Sequence, residues 1–179
     1  MRTIDAIMEE IIEVIEKVDE EHLKGALKYF VKERRIFVDG EGRSGFQAKG
    51  FAMRLMHLGY NVYVIGETIT PSLKIGDVYI SVSGSGTSRG VLGNTERAKN
   101  LGLTVLAVTS KKDSPVGKLS EYVIEVPGKV KDDDNKSSIQ LLSSLFDQSV
   151  HIVLDTLCLL ISQKDNMDRE TVKNNHINI

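Results

Sequence analysis

The sequence predicts an α/β fold: a parallel five-stranded sheet covered by helices on both faces. Three observations lead there. Short β-rich apolar runs alternate with segments of helical periodicity. Each run stops at a turn rich in Gly, Ser or Pro. Strands separated by helices need crossover connections, and those produce parallel sheets buried on both sides. With 179 residues, 41% hydrophobic and 27% charged, the chain can remove roughly 70% of its unfolded surface from water without metal or disulfide help.

Ile4, Met8, Ile11, Ile15 and Val18 recur at steps of four and three, which puts them on one stripe of a first helix. That stripe is read as packing on the chain's own core, with an intersubunit seam as the alternative. Leu23, Ala26, Leu27, Phe30 and Val31 repeat the pattern in a second segment. The period then changes. Arg35-Ile36-Phe37-Val38 is a short apolar run that stops at Asp39-Gly40, as a buried strand entering a tight turn does. A helix is expected over Ser44 to Leu58, then strands over Asn61 to Ile65 and Val78 to Val82. A helix from about Thr87 to Asn100 and a strand over Leu103 to Val108 follow. Tyr122 to Val126 makes the fifth strand, ended by Pro127-Gly128. Lys129 to Ser138 carries a charge run read as a solvated loop. A long helix is expected over Ser143 to Ile161, and a last short one over Asp168 to Asn174, capped by Asp168 and leading to His176. Neither repeats nor a linker divides the chain. It reads as one domain over 1–179, with helices in 1–33, the sheet and its helices in 34–163, and a closing helix and tail in 164–179.

Composition narrows the function. A formal charge of −2 offers no field for a polyanion, so no nucleic-acid partner is expected. The single Cys158 lies in the apolar run Leu157 to Leu160 and reads as a small buried hydrophobe. Met1 to Glu10 is charged and lacks the pattern of a signal peptide. The longest apolar stretch, Val150 to Ile161, is broken by Asp155 and is shorter than the roughly 20 residues of a membrane span. A cytoplasmic protein with no membrane partner is the expectation.

Two loops carry the chemistry. Gly40-Glu41-Gly42-Arg43-Ser44-Gly45 follows the first strand and opens a helix, a formal G-x-G-x-x-G match. Glu67, just past the second strand, stands where a dinucleotide site has its ribose-binding acid, so an NAD reading is open on this motif alone. The second loop, Ser83-Gly84-Ser85-Gly86-Thr87-Ser88, sets four hydroxyls before another helix. Hydroxyls and free amides at a helix start suit the compact oxygen cluster of a phosphate monoester. Both loops sit at carboxyl ends of strands, where open parallel sheets collect their ligands. A phosphorylated small molecule is the better fit. Asp147, His151 and Asp155, four apart, read as a hydrated polar stripe rather than metal ligands. His57 reads as a helix-end histidine at the negative end of the dipole, and His22 as exposed.

Several runs carry a family resemblance: GEGRSG at Gly40 to Gly45, FAMRLMHLGYNVYVIGETITPS at Phe51 to Ser72, SGSG at Ser83 to Gly86, SSIQ at Ser137 to Gln140, SLFDQ at Ser144 to Gln148, and the tail His176 to Ile179. Together they resemble the 6-phospho-3-hexuloisomerases of the sugar isomerase (SIS) domain superfamily. The resemblance implies a three-layer, flavodoxin-like or Rossmann-like sandwich. It also implies a homotetramer with sites near subunit boundaries, and conversion of D-arabino-3-hexulose 6-phosphate into fructose 6-phosphate. That step belongs to formaldehyde fixation through ribulose monophosphate, paired with a hexulose-phosphate synthase, and implies no metal or organic cofactor. A non-catalytic SIS module that senses a sugar phosphate is the alternative.

The family's phosphate loop S-x-S-G-x-T corresponds to Ser83, Ser85 and Ser88, with Gly84 between, and Ser44, Gly42 and Arg43 are the first-loop candidates. The family's Phe-Glu-Gln corresponds to Phe146-Asp147-Gln148, so the expected base is Asp147, shorter by one methylene, with Glu67 as the other acid. His176 matches the tail histidine, a proton relay or ring-handling group. Two departures stand out: Gln140-Leu141-Leu142-Ser143-Ser144 where relatives commonly read Q-P-M-G-S, and Glu41 where they commonly have Ala.

Overall fold

The computed structural model describes residues 1–130 and 138–178. The elements in order are α1 (Thr3–Ile15), α2 (Glu20–Gly25) with a 3₁₀ turn (Ala26–Tyr29), β1 (Ile36–Gly40), α3 (Gly42–His57), β2 (Val62–Val64), β3 (Val78–Val82) and α4 (Arg89–Asn100). They continue through β4 (Thr104–Thr109), α5 (Pro115–Leu119), β5 (Tyr122–Glu125), α6 (Ser144–Lys164) and α7 (Arg169–Asn174). All five strands run parallel in the order β2-β1-β3-β4-β5. The chain leaves β1 toward β2 on one side and returns to β3 on the other. The crevice between the carboxyl ends of β1 and β3 is therefore the topological switch point.

Alternation along the strands sorts two cores. Ile36, Val38, Val78, Ile80, Val82, Leu106, Val108 and Ile124 face α1, α2, α3 and α6, while Phe37, Tyr79, Val105, Ala107 and Val123 face α4 and α5. Each large side chain so buried contributes about 1.5–3 kcal/mol. α6 is long and apolar enough to cross a bilayer, but 56% of its apolar window is buried inside this protein, which makes it the central helix of the larger layer. Cys158 lies within that layer, and burial pushes its thiol up to about 12.

The differences from expectation are local. α1 buries Ile11 and Val14, and Ile4, Met8 and Ile12 are exposed, so the expected stripe is split between core and solvent. The second segment breaks into α2 and the 3₁₀ turn, and Val31 is exposed. β2 spans three residues, as befits an edge strand. α5 was not foreseen, because five residues hold no full apolar period. Its signal was Ser114-Pro115: the Ser114 hydroxyl caps Gly117 N–H, with Pro115 at the first helical position. His57 is buried, and burial first, then Arg54 and His176, lowers its pKa. It is thus a neutral core residue at neutral pH, not a cation at the helix dipole. His22 is exposed, yet it stacks on Tyr122 at 4.6 Å and its Nε2–H donates to Val123 O at 2.8 Å, covering the outer edge of β5. Of the expected solvated loop, residues 131–137 lie outside the described residues.

One contact sets how α3 begins. A Cβ on Gly45 would lie 2.6 Å from Gly40 O, so the helix can start against β1 only because both residues are glycine. Gly45→Ala should lower the unfolding free energy by about 1–3 kcal/mol in denaturant titration. Gly93→Ala, where an added Cβ meets nothing, should raise it by about 0.5–1 kcal/mol through helix propensity.

Candidate active site

The two loops singled out by their glycines and hydroxyls meet at the switch point. Gly42, with φ +57, turns the chain out of β1 and into α3. Across from it, Gly84, two residues past β3, lies under α6: a Cβ there would lie 2.7 Å from Val130 Cγ1 and 2.9 Å from Phe146 Cδ1. Gly84 O accepts from the Ser110 hydroxyl at 2.7 Å, the Ser110 N–H at 3.0 Å and the Thr109 hydroxyl at 3.1 Å. That carbonyl is fully engaged, which fixes the loop from below.

Above it the hydroxyls divide by depth. Ser83 is buried, donates to Ser88 Oγ at 3.3 Å and accepts from the Gly86 N–H at 3.2 Å. Ser85 accepts from the Thr87 hydroxyl at 2.8 Å. Ser88 is the N-cap of α4 but makes no side-chain cap bond. The first-turn amides of α4 have no partner within the helix, an arrangement that suits an anion.

Asp147 sits behind this cleft, fully buried on the first turn of α6. Its Oδ1 accepts from the Ser44 hydroxyl at 2.8 Å. Its Oδ2 accepts from the Ser143 hydroxyl at 2.8 Å and from Arg43 Nε at 3.2 Å. Those three donors come from the first loop and the α6 N-cap, so a buried carboxylate holds the two sides of the cleft together. The cleft has a volume of about 310 Å³ and is lined by Glu41, Gly42, Arg43, Ser44, Gly84, Ser85, Ser88, Val130, Leu142 and Ser143. Leu142 on its rim has φ +52, a left-handed conformation that costs a branched residue roughly 1–2 kcal/mol.

The remaining expected site residues stand elsewhere in this chain. Glu67 is exposed and pairs with Lys49 at 2.7 Å. His176 packs its ring 5.0 Å from that of His57, at the far end of α3 from Ser44. The 13 residue steps from Ser44 to His57 span about 20 Å of helix. The chain does not bring its own His176 to its own Asp147. Asp147 and His151 also part company: Asp147 turns inward, while His151 pairs with Asp155 at 3.6 Å on the exposed side. Among the described residues no group of three potential ligands could hold a metal ion.

Three residues that shape the cleft carry little local signal that singles them out as candidates. Ser143 is four residues before Asp147, a spacing that could have signalled it. Glu41 was noticed only as a departure. Glu10 of α1 had no local signal, because its partners lie about 130 residues away: it accepts from Ser138 Oγ at 2.8 Å, Ile139 N–H at 2.7 Å and Gln140 Nε2 at 3.0 Å. It thereby ties down the segment that leads to Leu142 and Ser143.

A family model, SIS domain, matches residues 29–154. The chain belongs to the SIS domain family. It is 39% identical over 153 residues to the 3-hexulose-6-phosphate isomerase of Bacillus subtilis, covering 84% of this chain and 83% of that one. A crystal structure from Methanococcus jannaschii, whose description infers a molecular function of 3-hexulose-6-phosphate isomerase, superposes with TM-score 0.85. That match is 30% identical and covers 100% of this chain and 99% of the other. The sugar isomerase domain of an RpiR transcription factor from Sphaerobacter thermophilus shares the fold, with TM-score 0.75 at 18% identity over 94% and 90% of the two chains. This SIS chain is an isomerase of the family.

The Glu10 tether gives the site a pH dependence. Burial opposes its charge, but the Ile139 N–H and the Gln140 and Ser138 side chains outweigh burial and hold its pKa below the usual Glu range. A depressed carboxylate contributes stability above its unfolded pKa and loses it as pH falls through the folded value. Once the intrinsic exchange rate is divided out, the amides of Ile139 and Gln140 should therefore lose protection below about pH 4.5. Glu10→Gln should show the lower protection already at pH 7.

Proposed function

We propose that this isomerase interconverts D-arabino-3-hexulose 6-phosphate and fructose 6-phosphate. The observation that carries the reading is one cleft in which Ser44, Ser85 and Ser88 gather around the open start of α4, with Asp147 hydrogen-bonded directly behind Ser44. The Bacillus subtilis relative and the Methanococcus jannaschii structure, described as 3-hexulose-6-phosphate isomerases, support that substrate over other phosphorylated sugars.

Moving a carbonyl from C3 to C2 oxidises one carbon as it reduces its neighbour, so electrons and protons balance within the substrate. The phosphate, remote from the reacting carbons, binds at Ser85, Ser88 and the α4 amides, and Ser83 supports that loop from beneath. Asp147 takes the C2 proton and returns a proton to C3 through an enediol. To do so, the Ser44 hydroxyl turns from Oδ1 to the ligand and releases that oxygen. Arg43 and Ser44 then face the developing enediolate charge, where preorganised donors are worth most. Glu67 is the second choice of base, because its carboxylate is already committed to Lys49.

His176 would serve the cleft of a neighbouring subunit, since its own cleft lies at the other end of α3. A homotetramer fits the apolar residues left exposed on α3 and α6: Phe46, Met53, Met56, Ile152 and Leu159. The enzyme would act in the cytoplasm after a hexulose-phosphate synthase, in formaldehyde fixation through ribulose monophosphate.

Both oxygens of Asp147 are occupied and the carboxylate is out of the open cleft, so its role as base is the part of the reading to test. A coupled assay of fructose 6-phosphate formation from the 3-hexulose does so. The enzyme reading expects turnover, with Asp147→Asn slower by roughly 10²- to 10⁴-fold at little change in ligand protection against heat. It also expects solvent deuterium at C3 of the product and none at C1. Protection by fructose 6-phosphate without turnover of the 3-hexulose would overturn the proposed substrate. Undiminished C3 exchange in Asp147→Asn would move the base to another acid.

A further inference from the structure

We propose that Glu41 is an internal occupant of the anion position in this cleft, its carboxylate standing where a ligand phosphate must go. The inference rests on the sugar-phosphate reading above and concerns the same site. Glu41 is the N-cap residue of α3, yet its side chain makes no cap bond to that helix. It crosses the cleft to α4 instead, where a Cβ placed on Gly90 would overlap Glu41 Oε1 and lie 3.1 Å from its Cδ. Gly90 is the second residue of α4, so the carboxylate rests on the first turn whose amides Ser88 leaves uncapped.

Those amides and the positive end of the helix attract any anion. The carboxylate offers them one negative charge and two oxygens, and a phosphate dianion offers more of both. The two cannot share the position, because like charges a few ångströms apart repel strongly in a cleft of reduced dielectric. Phosphate therefore binds with displacement of Glu41. Gly90 is what makes the occupancy possible, since any side chain there would fill the space that the carboxylate uses. Glu41 thus sets the affinity of the cleft for phosphoryl ligands and keeps weaker anions out.

The test is titration of inorganic phosphate into the whole protein by calorimetry, with Glu41→Ala, Gly90→Ala, the double variant, and Ser88→Ala, each first shown to be folded by its thermal transition. Glu41→Ala should bind phosphate about fivefold more tightly, the worth of one charge at a helix terminus. Gly90→Ala keeps every charge and removes only the room, and it should tighten binding in the same direction. The double variant should bind no more tightly than Glu41→Ala, because both changes remove the same occupant. Unchanged or weaker binding in Glu41→Ala overturns the proposal, as do additive gains in the double variant. Loss of isomerase turnover in Glu41→Ala at unchanged phosphate affinity overturns it too, and assigns the carboxylate to proton transfer. If Ser88→Ala leaves phosphate affinity unaltered, the phosphate reading of the cleft falls and this proposal with it. Sensitivity to Ser88 without sensitivity to Glu41 defeats the occupant alone.

Discussion

The close approach of Phe146 to two glycines is the contact on which the rest of the site depends. Its ring fills the space over Gly84, and its backbone lies where a side chain on Gly128 would be. Phe146 is fully buried, so the first turn of α6 is clamped between the end of β3 and the chain leaving β5. Asp147 is the next residue along that turn, and its position follows from the clamp. The three donors that meet it arrive from α3 and the α6 N-cap and need no further adjustment. Packing density in such a place is crystal-like, so the carboxylate has one location rather than several.

A carboxylate enclosed in this way differs from one that protrudes into a cleft. Asp147 has a short side chain, and its oxygens lie on Ser44, Ser143 and Arg43 rather than in open space. The side chain acts as a tie between the two halves of the cleft before any ligand enters. The proposed chemistry at this site therefore includes a rearrangement of hydrogen bonds around the acid. Glu41, unlike Asp147, lines the cleft itself and supplies the negative charge presented there.

Much of the fold was legible because its signals are local. Ile36 to Gly40 and Val78 to Val82 are apolar runs ended by turns, and the order of strands and helices required crossovers and hence a parallel sheet. The first loop declared itself through Gly40 and Gly45, and the second through its serines. What escaped reading was set by contacts distant in sequence. Nothing near Glu10 announces Ile139 or Gln140. Val31 and Met8 follow the helical period yet face outward, because periodicity specifies a stripe without specifying which neighbour covers it. The burial of His57 depends on α7 and the tail folding back over the end of α3. Asp147 was found by resemblance, and its enclosure came from Ser143, a residue that sequence presents only as an altered turn.

The His22 contact with Val123 has a consequence for how copies of the protein can meet. An edge strand with free carbonyls invites a foreign strand to join it, which is the usual route to sheet-driven aggregation. On one side of this sheet, the imidazole of His22 occupies a β5 carbonyl and its ring lies on Tyr122. On the other side, β2 pairs over only three residues and is too short a template. Both margins of the sheet are thereby blunted, and self-association is left to helical surfaces, whose contacts are set by side-chain shape and so can be specific and finite.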